Sequence, residues 1–294
     1  MDLHLPVMKN EVIRFLAPKL GEDFVDCTVG LGGHALAILD RTRPSGRVLG
    51  IDADPTILER LKRKLEGTDY EERLVLVCDN FANLGEIVKK YSFRSVSGVL
   101  FDLGLSSWHL EESGRGFSFL RNEPLDMRYS PESPLTAEAI VNFWSLKDLW
   151  RILRVYGQER FSRRIAEEIV RSRPLRTTVD LVMAVERATP SWYHRGRIHF
   201  ATKTFQALRI AVNNELENLE RALPQALDIM GNGGRLVVIA FHSLEDRIVK
   251  NFLREKAKEG VVKILTKKPV RPSKAEVAEN PRARSARLRA ALKV

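Results

Sequence analysis

The sequence predicts an α/β fold in which a mostly parallel sheet is covered by helices on both faces. Three observations predict it. Continuous apolar runs alternate with amphipathic stretches through the first third of the chain, a glycine-rich turn follows the first run, and one further buried run, GGRLVVIAFHS, returns after a long helical interval. Strands of a parallel sheet are buried on both faces and so read as unbroken apolar runs, whereas the crossover helices between them are apolar on one side only.

The first strand lies in DFVDCTV and leads to the helix HALAILDRT. RVLGIDAD is the second strand and PTILERLKRKL the helix after it, with Asp54 placed to cap and Pro55 suited to the first helical turn. RLVLVCD leads to NLGEIVKKY, and SVSGVLFDLG is the fourth strand. From Leu105 to Asn213 the apolar spacing becomes three and four residues with no strand signal, which predicts helices at TAEAIVNFW, SLKDLWRILRVY, ERFSRRIAEEIVRS and TVDLVMAVERA. One long helix is expected from Thr202 through NNELENLERALPQALDIM, with Pro224 as its point of kinking and GNGG as its end. GGRLVVIAFHS is the fifth strand. The expected division is a discontinuous sheet domain of residues 1–104 and 214–294, carrying a basic C-terminal tail at 267–294, with an all-helical domain inserted at 105–213.

A chain of 294 residues with 44% hydrophobic content is large enough for a substantial core and is not a disordered segment. No apolar run approaches the roughly 18 residues of a membrane helix, and MDLHLPVMKNEVIRFL lacks the basic-then-apolar order of a signal peptide. Cys27 and Cys78 both sit in apolar strand-like runs and are expected in the core rather than as metal ligands or bridge partners, so a reducing, cytoplasmic setting follows. The net charge of +10 is uneven: residues 267–294 hold nine Lys/Arg against two Glu, and residues 160–176 hold six Arg against two Glu. Such blocks suit a polyanion, of which nucleic acid is the commonest.

Gly30-x-Gly32-x-x-Ala35 fits the dinucleotide fingerprint, and Asp52 stands twenty residues after Gly32, where a carboxylate can accept both ribose hydroxyls of an adenosine. A nicotinamide dinucleotide and S-adenosylmethionine both satisfy that pattern. Three features favour the second. Asp79 and Phe81, in CDNF, can meet an adenine amine and stack on the base. Asp102 ends the fourth strand at the carboxyl edge, where open sheets place chemistry. The Tyr-x-x-x-Lys pair of short-chain reductases does not occur. An NAD-dependent oxidoreductase and a non-catalytic RNA-binding or ribosome-assembly factor stand as the alternatives.

The motifs HLPVMKNEV, DCTVGLGGHA, GIDADP, DLGLSS, RGFSF, PLDMR, ATKTFQALRIAVNNEL, VVIAFHSLEDRIVK and NPRARSARLR occur in order along nearly the whole chain. In these the chain resembles the MraW (RsmH) family, S-adenosylmethionine-dependent methyltransferases that modify N4 of a cytidine in the decoding region of 16S ribosomal RNA. The resemblance implies a Rossmann-like class I methyltransferase domain with a helical insert, no metal, and small-subunit rRNA as partner; a homodimer is left open. It further implies cofactor contacts at Gly32, Gly33, His34, Asp52, Phe81, Asp102 and His109. The family often has Gln where this chain has His109, which departs from the pattern at that contact.

The N4 amine of cytosine is not basic, because its lone pair is delocalised into the ring. Methylation therefore requires an acceptor that turns the amine toward the methyl group, and Asp102 is the candidate for that catalytic role. The base must be exposed or flipped to be reached, and Arg115, Phe117 and Phe119 are candidates to line its pocket. His242 ends the fifth strand at the same sheet edge and is a further substrate candidate. His242, Glu245 and Asp246 have the types of a metal set, but Ser243 followed by Asp246 reads better as a helix capping box. Lys203, Arg209, Arg282, Arg284, Arg287 and Arg289 are candidate phosphate contacts, which confer affinity rather than sequence choice.

Overall fold

The computed structural model describes residues 6–93 and 95–294, so the first residues of the HLPVMKNEV motif lie outside the description. The chain divides into two units, Met1–Gly104 with Leu216–Val294, and Leu105–Glu215.

The first unit is built on seven strands: β1 (Asp23–Asp26), β2 (Val48–Asp52), β3 (Leu74–Cys78), β4 (Val96–Asp102), β5 (Met230–Ala240), β6 (Val262–Ile264) and β7 (Arg287–Lys293). Their order across the sheet is β3-β2-β1-β4-β5-β7-β6. Strands β1 to β5 are parallel, while β7 runs antiparallel to both β5 and β6. Progression reverses between β1 and β4, which makes this the Rossmann-like, doubly wound sheet the sequence predicts. Successive residues of a strand face opposite sides. Val25 and Phe101 therefore join one apolar layer with Leu219 and Leu223, and Phe24 and Leu100 join the other with Ile38 and Leu61. The helix Pro55–Leu65 illustrates the local logic. Asp54 accepts the Thr56 N–H at 2.9 Å, Pro55 starts the helix, and Ile57, Leu58, Leu61 and Leu65 are buried, each contributing about 1.5–3 kcal/mol relative to exposure.

Several expectations are corrected. The long helix from Thr202 is two helices, Thr202–Asn213 and Glu215–Ile229, and the break is at Asn214 with φ +49° rather than at Pro224, which the second helix runs through. Asn is among the few residues that enter the left-handed region at low cost, so it ends a helix where Pro224 does not. GNGG lies inside β5 instead of terminating the helix; a register shift between Val96 and Gly98 accommodates it. Residues 267–294 are not a tail. They contain the helix Lys274–Glu279 and β7, which pairs along its length with β5 and buries Leu288, Ala290 and Ala291. Cys27 is buried as expected, and burial pushes its thiol well up, but Cys78 is exposed because it is the last residue of the edge strand β3.

The second unit is helical. Ala137–Phe143, Leu146–Val155, Ser162–Arg171, Thr178–Ala188 and Thr202–Asn213 enclose a core of their own that includes Ile140, Leu149, Ile165, Leu181 and Leu208. Thr136, Ser145 and Thr177 cap the first, second and fourth of these helices with their side-chain oxygens. No helix among the described residues is long and apolar enough to cross a membrane.

Candidate active site

Parallel pairing carries three carboxylates to one edge of the sheet. Asp26, Asp52 and Asp102 are the last residues of β1, β2 and β4, and β1 and β4 flank the point where strand order reverses, the usual crevice for a ligand in an open α/β sheet. Asp52 fastens the glycine turn: its Oδ2 accepts the Gly30 N–H at 3.0 Å and its Oδ1 the Asp54 N–H at 3.0 Å. Thr28 fastens β1 to β4. Its Oγ1 accepts the Asp102 N–H at 2.7 Å, and its own N–H donates to Asp26 Oδ1 at 3.1 Å. His34, buried in the first turn of the helix Gly33–Arg41, places Nε2 3.3 Å from Asp102 Oδ2.

Gly32 caps that helix with φ +83°, and a Cβ there would stand 2.7 Å from Leu61 Cδ1. Both the backbone conformation and the lack of room require glycine. Asp79 and Phe81 follow β3. The Asp79 N–H reaches the Asp52 carbonyl at 3.1 Å, Asp79 Oδ1 accepts from Asn83 Nδ2 at 2.9 Å, and the Phe81 ring meets Phe101 edge-on at 5.6 Å.

The electrostatics of this edge are unusual. Asp26 is 1% exposed. Burial pushes its carboxyl up to about 6, with Asp102 and Asp52 adding to the rise and the nearby His34 and the Thr28 N–H opposing it. For His34, burial pulls downward, but the hydrogen bond and charge of Asp102, helped by Asp26, leave it raised. Asp26 Oδ2 and Asp102 Oδ1 are buried without a hydrogen-bond partner among the described residues. Buried carboxylate oxygens are normally satisfied, so this edge suits a ligand that brings hydrogen-bond donors and positive charge. It suits a pyrophosphate poorly. The Gly30 and Gly32 N–H groups are engaged by Asp52 Oδ2 and by the Val29 carbonyl at 2.8 Å, and the carboxylates would repel phosphate.

Gly32, Gly33, His34, Asp52 and Asp102 are thus brought together with Asp26 and Thr28, which sequence reasoning did not single out. The available signal was an acid and a hydroxyl residue at the exit of a buried strand, inside the DCTVGLGGHA motif already quoted.

Six further candidates belong to the second unit. His109 belongs to the second unit and is not a surface loop residue: it is buried, its Nδ1 lies 2.9 Å from Ser106 Oγ in a capping box, and its ring meets Phe117 at 5.0 Å and Tyr129 at 5.1 Å. Phe117 stacks on Tyr129 at 5.5 Å in the core of that unit, so its faces are not open to a base. Phe119 stacks on His199 at 4.4 Å, and Arg115 Nη1 donates to the Tyr129 carbonyl at 2.9 Å. Lys203 Nζ donates to the Gln158 carbonyl at 3.2 Å, and Arg209 makes a two-point pair with Glu215 at 2.8 and 3.0 Å. Both act within the unit.

In the first unit, His242 rather than Ser243 caps the helix Ser243–Lys258, in a reciprocal box with Glu245. Asp246 accepts from Arg289 Nε at 2.7 Å and lies 3.5 Å from Arg287 Nη1. Arg289, 8% exposed, is therefore a structural cation and not an open phosphate contact. Arg282 and Arg284 lie in the short 3₁₀ turn Pro281–Ser285, with Arg284 exposed.

The model of the MraW methylase family matches residues 1–294. A protein of Thermotoga neapolitana named ribosomal RNA small subunit methyltransferase H is 50% identical over 291 residues, covering 98% of this chain and 95% of that one. Proteins of the same name from Dehalococcoides mccartyi and Thermosipho africanus are 46% and 47% identical, covering 99% and 100% of this chain and 86% and 98% of theirs. A match over the full length, joined to the acidic strand ends and the glycine turn described above, places the chain in the MraW methylase family.

Proposed function

We propose that this chain transfers a methyl group from S-adenosylmethionine to the exocyclic N4 of a cytidine in the decoding region of 16S ribosomal RNA, free or within the small subunit, in the cytoplasm. The observation that carries the reading is the pair of unsatisfied buried carboxylate oxygens, on Asp26 and Asp102, beside a glycine turn whose Gly30 and Gly32 N–H groups are engaged. That chemistry favours a cationic donor over a dinucleotide. Family membership and the names of the relatives support the reaction and the substrate.

When bound, the cofactor supplies an electrophilic methyl on a sulfonium and needs no metal. In this reading Asp52 accepts the ribose hydroxyls, Phe81 and Asp79 attend the adenine, and Asp26, His34 and Asp102 surround the amino-acid end. The start of the helix Gly33–Arg41 favours its carboxylate. Asp102 has a second task as the residue that accepts a hydrogen bond from the cytosine amine and so frees its lone pair for in-line attack. As the methyl passed from sulfur to nitrogen, the amine would give up one proton, which the Asp102 carboxylate or solvent would take.

The test is incubation with isotopically labelled S-adenosylmethionine and 16S rRNA or small subunits lacking the modification, followed by nucleoside mass spectrometry. Labelled N4-methylcytidine is the expected product. Label in another nucleoside would overturn the N4 assignment, and no label in any RNA would overturn the function.

A further inference from the structure

We propose that Trp192, with Phe161, Arg160 and Arg164, forms a stacking platform in the helical unit for a single-stranded stretch of the substrate RNA; the inference rests on the rRNA methyltransferase reading above. Trp192 sits in the short helix Ser191–His194 and is 55% exposed. Its ring is braced rather than loose. Phe161 meets it at 5.8 Å and 62°, and Tyr193 at 6.0 Å and 82°, so its neighbours support it edge-on. Tyr193 is pinned in turn, its hydroxyl donating to Glu159 Oε2 at 2.8 Å, and the same buried carboxylate accepts the Phe161 N–H at 2.9 Å through Oε1. One buried acid thus fixes both rings that hold the exposed indole.

Cations surround the rings. The Arg160 Cζ is 5.4 Å from the Trp192 ring centre and 5.7 Å from that of Phe161, and the Arg164 Cζ is 6.0 Å from Phe161. The two carboxylates of the arginine-rich run are taken by other residues: Glu167 by Arg163, and Glu168 by Arg171 and Arg187. Neither Arg160 nor Arg164 pairs with a carboxylate among the described residues. Arg195 and Arg197, just beyond Trp192, are exposed as well. An exposed, rigid aromatic ring among unpaired guanidinium groups matches the repeating unit of a single strand, a flat base beside a phosphate. Duplex RNA offers phosphates but keeps its bases stacked on one another, so it cannot use the ring.

The experiment measures binding of the full-length chain to a labelled single-stranded RNA oligonucleotide and to small subunits, over a range of salt, alongside methyl incorporation. Trp192→Ala should weaken binding about tenfold, the loss of one stacked base, whereas Trp192→Phe should stay within about threefold of the parent. Arg160→Ala and Arg164→Ala should each lower the slope of log affinity against log salt by about one. Parental affinity in Trp192→Ala with normal methylation would overturn the platform while leaving the methyltransferase reading intact. Absence of methyl transfer by the parent chain would instead overturn the reading beneath it. Equal competition by duplex RNA would overturn the single-strand assignment. A dimer dissociated by Trp192→Ala at unchanged RNA affinity would assign the surface to a second copy, and a defect confined to assembled subunits would assign it to a ribosomal protein; either would overturn the proposal.

Discussion

Replacing Asp26 with Asn should stabilise the cofactor-free protein at neutral pH. The carboxyl is fully buried at the end of β1, and burial, with Asp102 and Asp52 nearby, pushes it from an ordinary 3.8 up to about 6. Unfolded, the group ionises near its ordinary value; folded, it keeps its proton until about 6. Between those values the folded state binds more protons, so stability falls as pH rises through the window, and the whole penalty persists above it. A rise of roughly two pH units corresponds to about 3 kcal/mol at 1.36 kcal/mol per unit. Asn is the neutral isostere of the protonated acid, and its Oδ1 can still accept from the Thr28 N–H. Thermal and urea unfolding of Asp26→Asn and parent should therefore nearly coincide at about pH 4, diverge between about pH 4 and 6, and stay apart by the full amount above that, with a gain in Tm on the order of 6–12 °C at 2–4 °C per kcal/mol. Adding S-adenosylhomocysteine should narrow the gap, because the charge that destabilises the empty site is the one proposed to hold the ligand's ammonium. A variant no more stable than the parent near neutrality, or one whose advantage is largest in acid, would refute the reasoning.

Other substitutions separate chemistry from architecture. Asp102→Asn should lower methyl transfer by at least about 100-fold while leaving the unfolding midpoint nearly unchanged; nearly full turnover in a single-turnover assay would remove Asp102 from the reaction. Gly32→Ala places a side chain at φ +83° against Leu61 and should cost about 1–2 kcal/mol in urea unfolding from backbone strain alone, with weaker cofactor binding by calorimetry. Arg289→Ala removes the closer of the two arginines on Asp246 and leaves only Arg287 at 3.5 Å, so it should cost about 1–3 kcal/mol of stability. The salt dependence of RNA binding should be unchanged by it, which distinguishes a structural cation from a phosphate contact.

Legibility followed the range of the interactions. The cap at Asp54, the proline at Pro55 and the apolar face of Pro55–Leu65 are local, and all were readable. So were five strands and the main helices of the second unit, whose patterns repeat over a few residues. Strand β7 was not, because Arg287, Arg289 and Lys293 made an alternating segment look like a basic tail. Its arginines are tolerated in a sheet only because Asp246, from a helix remote in sequence, meets them. Cys78 misled for the opposite reason: an apolar run says nothing about whether its strand is central or at the edge.

The amino-acid order alone determined that this chain forms a parallel sheet with crossover helices and that a glycine turn opens the first helix, since each follows from steric and apolar preferences of neighbouring residues. Only the tertiary structure decided which polar groups share the reactive edge. Thr28 and Asp102 are 74 residues apart, yet strand pairing sets the hydroxyl 2.7 Å from the Asp102 N–H. The same pairing buries Asp26 beside Asp102 and His34 and gives it an affinity for protons that an isolated aspartate lacks. Charge is carried by the residue, but its energy is set by what the fold puts around it.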